Sequence, residues 1–163
     1  AFHDLLPFTS AGYRDYLSTS NLSVEREVVS RAGTMTAHKS RAEDLEWTVR
    51  FRKLGYRLYF EPQALIFHDP DRKTPLSVWR HWVHDAHDTL YVRLKYQELL
   101  GTPSMAKHRI LFLVAAPLIA AWATLRTFEH RTTLCRYGHT MPLVYLTKWA
   151  WCWGAFRYFP TDG

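Results

Sequence analysis

Sixteen consecutive residues, Ile110 to Leu125, carry no charge, and this run restricts the folds open to the chain more than any other segment. In water such a run must be covered by protein; at a bilayer it can be covered by lipid. It contains Pro117 and Trp122 and is bracketed by Lys107, Arg109 and Arg126. A crossing helix needs about 20 predominantly apolar residues, so the run is marginal as a span. A second segment, Pro142 to Phe159, is strongly aromatic but carries Lys148 and Arg157. The loop between them holds Arg131 and Arg136, and two clean crossings would leave these outside, against the positive-inside tendency. The expected arrangement is therefore a pair of interfacial or re-entrant helices held on the cytoplasmic face of a membrane. The alternative is an ordinary buried helical hairpin of a soluble protein.

The remainder of the chain has a different character. At 163 residues the chain can bury a real core, and its start at Ala1 suggests a processed product or the C-terminal part of a longer protein. Aromatic residues reach 15%, which excludes a disordered or low-complexity chain. A net charge of +6 permits a polyanionic partner. Its Lys and Arg residues are scattered rather than blocked, which argues against nucleic acid. Cys135 and Cys152 have no metal-binding spacing and suggest no disulfide framework.

Residues 1 to 15 read as loop. A short strand from Tyr16 gives way to the small polar run Thr19-Ser20-Asn21, and a helix from Glu25 to Ala32 is closed by Gly33. The next helix is expected from Arg41 to Leu54, with Leu45, Val49 and Leu54 toward one side and Gly55 ending it. Tyr56 to Phe60 and Ala64 to His68 read as strands broken by Glu61-Pro62-Gln63. A helix starting at Pro75 runs to about Leu100, where Gly101-Thr102-Pro103 stops it. This order predicts an α/β fold with a mixed sheet.

The second helix opens on an acidic pair. Ser40 stands as an N-cap, and Glu43, three residues on, completes a capping box. Asp44 is left without a structural task. A carboxylate in a first helical turn is favoured as the anion by the macrodipole, by a few tenths to about 1 kcal/mol. An ionised, positioned Asp is what a general base requires, although acidic residues are also common in the first turns of ordinary helices.

Thr19-Ser20-Asn21-Leu22-Ser23-Val24, Ala42-Glu43-Asp44-Leu45, Arg52-Lys53-Leu54-Gly55-Tyr56 and Phe60-Glu61-Pro62 with Ala64 and His68 together resemble the C-terminal half of family 2 glycosyltransferases. The resemblance lies in their order and spacing over about fifty residues. It implies the acceptor-binding half of a GT-A type mixed-sheet fold over residues 1–103, followed by a membrane-associated helical tail over 104–163. By the same resemblance Asp44 is the base that takes the proton of an acceptor hydroxyl, giving inversion at the anomeric carbon. Glu43, Thr19, Ser20, Asn21, Arg80 and His81 are substrate-binding candidates, and His68 a metal- or diphosphate-binding one. A sugar nucleotide is the implied donor and a glycan or lipid-linked molecule the acceptor. A divalent cation, Mg²⁺ or Mn²⁺, is implied with most of its ligands outside this chain, because no Asp-x-Asp precedes Thr19. Asp69-Pro70-Asp71 follows the His68 strand and reads as a turn.

The chain departs from the family pattern in three places. Thr34-Met35-Thr36 stands where many relatives have Gly-Phe-Asp, which leaves the acceptor class open. Ser77-Val78-Trp79-Arg80-His81-Trp82 only approximates the Gln-x-x-Arg-Trp signature of processive relatives, which favours a single addition. His81, His84 and Asp88 share a helical side, a spacing that could build a metal site, beside His87 and Asp85. A non-catalytic acceptor-binding or membrane-anchored module is the competing function class, and a basic nucleic-acid-binding protein the third.

Overall fold

The computed structural model describes residues 10–35, 41–66, 73–128 and 137–159. Among these residues 69% are helical and 5% lie in strands. In chain order the elements are β1 (Gly12–Arg14), α1 (Arg26–Ala32), α2 (Glu43–Lys53), β2 (Leu58–Phe60), α3 (Pro75–Lys95), α4 (Gln97–Leu100), α5 (Arg109–Phe128) and α6 (Met141–Arg157). Single 3-10 turns lie at Thr19–Asn21, Ser104–Lys107 and Gly138–Thr140.

The expected α/β fold, a GT-A half built on a mixed sheet, is not what forms. Among the described residues β1 and β2 make one two-stranded antiparallel ribbon, with Tyr13 opposite Tyr59 and Arg14 opposite Leu58. The segment expected as a strand from Tyr16 finds side-chain partners in place of a ladder. Leu17 N–H and C=O both meet Thr48 Oγ1 at 3.4 Å, and Asn21 Nδ2 donates to the Ala64 carbonyl at 2.9 Å. Ser18 Oγ accepts from the Ser20 N–H at 3.3 Å and starts the 3-10 turn. Hydroxyl and amide side chains compete with secondary structure for these backbone groups, and here they prevail. Arg50 and Arg52 act alike, their guanidiniums bonding the carbonyls of Ala32, Thr34, Asp15 and Leu99. Ala64 to Ile66 is irregular, and His68 lies outside the described residues.

Helix α2 begins later than its sequence signals imply. Its N-cap is Ala42, which offers no side-chain cap, and Glu43 is the first helical residue rather than the third. Ser40 lies outside the described residues. Packing surrounds the observed start. Ala42 is buried with Leu45, Val49, Val92 and Leu100, and Asp88 of α3 accepts the Arg41 N–H at 2.8 Å. Along α2, Glu46 pairs with Arg50 at 3.0 Å and accepts the Tyr96 hydroxyl at 3.0 Å. Trp47 donates its indole N–H to the Gly33 carbonyl at 2.8 Å.

Helix α3 has the reciprocal cap that α2 lacks. Ser77 N–H donates to Thr74 Oγ1 and Thr74 N–H to Ser77 Oγ, with Pro75 at the first helical position. The helix ends at Lys95 rather than near Leu100, because Tyr96 turns out of helical geometry where its hydroxyl reaches Glu46. Short α4 follows, and Gly101 closes it at φ +57°.

Helix α6 lies between α3 and α5. Trp79 meets Trp149 and His84 stacks on Tyr158, so α3 and α6 run parallel. Phe112 meets Trp151 and Arg109 Nε donates to the Phe156 carbonyl at 3.0 Å, so α5 runs antiparallel to α6. Helix α3 joins the two cores: Ala86 and Leu90 pack with Phe112, Ala116 and Trp151, whereas Val92 packs with α2. Cys152 is free within the first core, and burial pushes its thiol up to about 12, the state of an inert packing residue.

Candidate active site

Asp44 occupies the second position of α2 and is half-buried. Its Oδ1 accepts the Leu45 N–H at 2.7 Å, and the nearby Ser18 side chain favours the carboxylate anion. Thr48, one turn on, holds this geometry. Its hydroxyl donates to the Asp44 carbonyl at 2.8 Å and meets Leu17 on its other side, fixing Ser18 beside Asp44.

The macrodipole leads one to expect an Asp44 carboxyl that ionises easily. The structure reverses the direction. Burial holds its pKa above the usual carboxylate value of 3.8, and the neighbouring Glu43 charge adds to the rise; the Leu45 bond and the Ser18 side chain oppose it. Desolvation prevails because the dipole contribution is small and the residue is half-buried. A raised pKa makes the anion a better proton acceptor, since base strength is best used when the pKa moves toward working pH.

Beside Ser18 a cavity of about 330 Å³ opens between the Ser18–Ser23 turn and the Tyr59–Ile66 segment. Ser18, Ser20, Asn21 and Glu61 give it polar groups, while Leu17, Tyr59, Phe60 and Pro62 give it an apolar wall. Its size and mixed lining suit a small or partly apolar ligand. Asp44 does not itself line this cavity, whereas its neighbour Ser18 does. The fold thus brings together three of the segments that carry the resemblance: the serine-rich turn, the acidic pair and Phe60-Glu61-Pro62.

The other sequence candidates divide. Ser20 and Asn21 line the cavity, whereas Thr19 lies in the same turn without lining it. Glu43 is half-buried beside Asp44, its Oε2 buried without a hydrogen-bond partner. His81 Nδ1 lies 3.4 Å from the Arg41 guanidinium, at the entry of α2, and Arg80 is exposed on α3. His68 lies outside the described residues. The α3 cluster expected as a possible metal site is used otherwise. Asp88 takes the Arg41 N–H and pairs with His87 at 2.8 Å, Asp85 accepts from Thr89, and His84 stacks on Tyr158.

Among the described residues no three His, Cys, Asp or Glu side chains are grouped to hold a metal ion. These residues do not by themselves fit a divalent cation. The sequence reading missed Ser18, Thr48 and Glu61. Ser18 carried a signal as the neighbour of Thr19 and Glu61 as a member of the Phe60-Glu61-Pro62 motif; the role of Thr48 depends on a contact 31 positions away.

No protein-family model, curated protein or solved structure matches this chain.

Proposed function

We propose that this chain supplies the acceptor side of an inverting glycosyltransferase, with Asp44 as general base. The observation that supports the reading is that Ser18, which lines the Ser18–Ser23 cavity, lies beside Asp44 and favours its anion. An acceptor hydroxyl bound there gives its proton to the Asp44 carboxylate. Its oxygen forms the new bond to the anomeric carbon, and the sugar–diphosphate bond breaks with the electron pair leaving on the nucleoside diphosphate. Attack from the side opposite the leaving group inverts the centre. Glu43 and the Ser20 and Asn21 side chains orient the acceptor, and His81 with Arg41 closes the entry of α2. The donor is a sugar nucleotide, and charge stabilisation at the departing diphosphate is the second demand of such a reaction.

The test is sugar-nucleotide turnover by the protein carrying this chain, with Asp44 and with Asp44→Asn. Removing a positioned base should slow turnover about 10²- to 10⁴-fold with little change in acceptor affinity. Unchanged turnover in the variant overturns the base assignment. Acceptor binding with no turnover by the unaltered protein would favour the non-catalytic module.

A further inference from the structure

Helix α5 is packed inside out. Apart from Phe112, its core-facing residues are small, Ala116, Ala120, Ala123 and Thr124, while Ile110, Val114, Leu118, Trp122 and Leu125 face outward, with Leu118 75% exposed. A helix covering a water-soluble core does the opposite, burying its large apolar side chains and exposing small or polar ones. Small residues inside and large ones outside is the pattern of helices whose surroundings are hydrocarbon, where close backbone approach supplies the packing. Helix α6 repeats it in part: Ala150, Cys152, Gly154 and Ala155 are buried together with Trp151 and Lys148, and Leu143, Leu146 and Trp153 are exposed.

Charge identifies the kind of surface that fits. From Gly101 onward the sequence has seven Lys and Arg against Glu129 and Asp162, so this part carries most of the net charge of +6. Lys107, Arg109, Arg126 and Arg157 are exposed at the two ends of the helices, where they can reach lipid phosphates beside an apolar stripe.

Length alone permits either orientation, because 20 residues of helix span about 30 Å, close to hydrocarbon thickness. The tertiary packing chooses. α6 lies against both α5 and α3, and α3 runs beside α6 from Trp79 to His84. Were α5 to cross the bilayer, the exposed Arg80 and His84 of α3 would be carried to hydrocarbon depth, which is strongly disfavoured. With α5 flat, its apolar stripe enters the leaflet and the polar face of α3 stays in water.

We propose that the outward face of α5, bordered by α6, docks flat on the interfacial layer of an anionic, cytoplasmic-type leaflet without crossing it. This docking is independent of the chemistry at Asp44. Flotation with phosphatidylcholine vesicles, with and without about 30 mol% phosphatidylserine, tests it; at low salt the anionic vesicles should bind at least tenfold more tightly. Leu118→Asp should weaken that binding about tenfold or more with an unchanged far-UV circular dichroism spectrum. Spin labels at Ile110→Cys, Leu118→Cys and Leu125→Cys, each in a Cys135→Ser, Cys152→Ala background, should report similar shallow depths of roughly 5–10 Å. A profile deepest at Leu118 and shallow at both ends overturns the flat orientation. Equal binding to the two vesicle types, or binding to neither, overturns the anionic docking surface.

Discussion

Gly154 is the position where the packing of α3 on α6 can be tested most directly. A Cβ added there would lie 2.7 Å from Val83 Cα and 2.8 Å from Val83 C, with the Val83 carbonyl oxygen closer still. These are backbone atoms, so no rotamer change can relieve the overlap. For Gly154→Ala the two helices must separate by roughly 0.5–1 Å, and a gap of that size forfeits a quarter to a half of the dispersion energy of the facing atoms. Overpacking of this kind costs about 1–3 kcal/mol, and the rigidity of the contact places it near the upper end. Alanine is also the better helix former by about 1 kcal/mol, which offsets part of the cost. The expected net loss is about 2 kcal/mol. Urea unfolding in mild detergent, followed by far-UV circular dichroism, should show the midpoint falling by about 1 M, for a denaturant dependence near 2 kcal/mol per M. Gly138→Ala is the control, since nothing lies within 4 Å of a Cβ there; it should stay within about 0.5 kcal/mol. A Gly154→Ala protein as stable as the unaltered one, or more so, refutes the close α3–α6 contact, because helix propensity alone would then decide the sign.

Other expectations concern the Asp44 end of the fold. Because burial raises the Asp44 pKa above 3.8, the stability linked to its protonated form is present below pH 3.8 and is lost as pH rises through the folded-state value. Asp44→Asn should remove that loss and leave the protein more stable than the unaltered chain near neutral pH; denaturation midpoints between pH 3 and 7 decide, and a less stable variant there contradicts the sign. Ser18→Ala removes a hydroxyl that lowers the Asp44 pKa, so carboxyl titration by NMR should move further upward, and a downward move would show that Ser18 does not favour the anion. Asp88→Ala deprives the Arg41 N–H of its carboxylate and should cost about 1–3 kcal/mol, with faster amide exchange at the start of α2; exchange confined to α3 would contradict the cross-fold cap.

Some features were legible because their causes are local. Thr74, Pro75 and Ser77 form the start of α3 with groups three residues apart, and Gly33 and Gly101 stop their helices by conformations that glycine adopts without strain. The start of α2 had an equally good local signal in Ser40 and Glu43, yet the helix begins where Ala42 is buried and Asp88 reaches Arg41. A contact across 47 residues lies at that start. The candidate site divides in the same way: Asp44, Ser20 and Asn21 stood in recognisable segments, whereas Thr48, which joins those segments, has no sequence signal.

The sequence by itself determined the helices with strong apolar periods, the uncharged length of α5, the basic character of the tail and the order of the segments that meet at Asp44. Each is a property of neighbouring residues or of composition. Only the tertiary structure decided that the segment from Tyr16 turns rather than joins a sheet, because Thr48 takes the Leu17 N–H and the Asn21 side chain takes the Ala64 carbonyl. It also decided that Asp44 is held above the ordinary carboxylate range, since desolvation depends on what packs over a residue and not on its place in a helix. The direction in which α5 turns its large side chains was decided there as well, because an apolar run is compatible with either face until its neighbours α6 and α3 are in place.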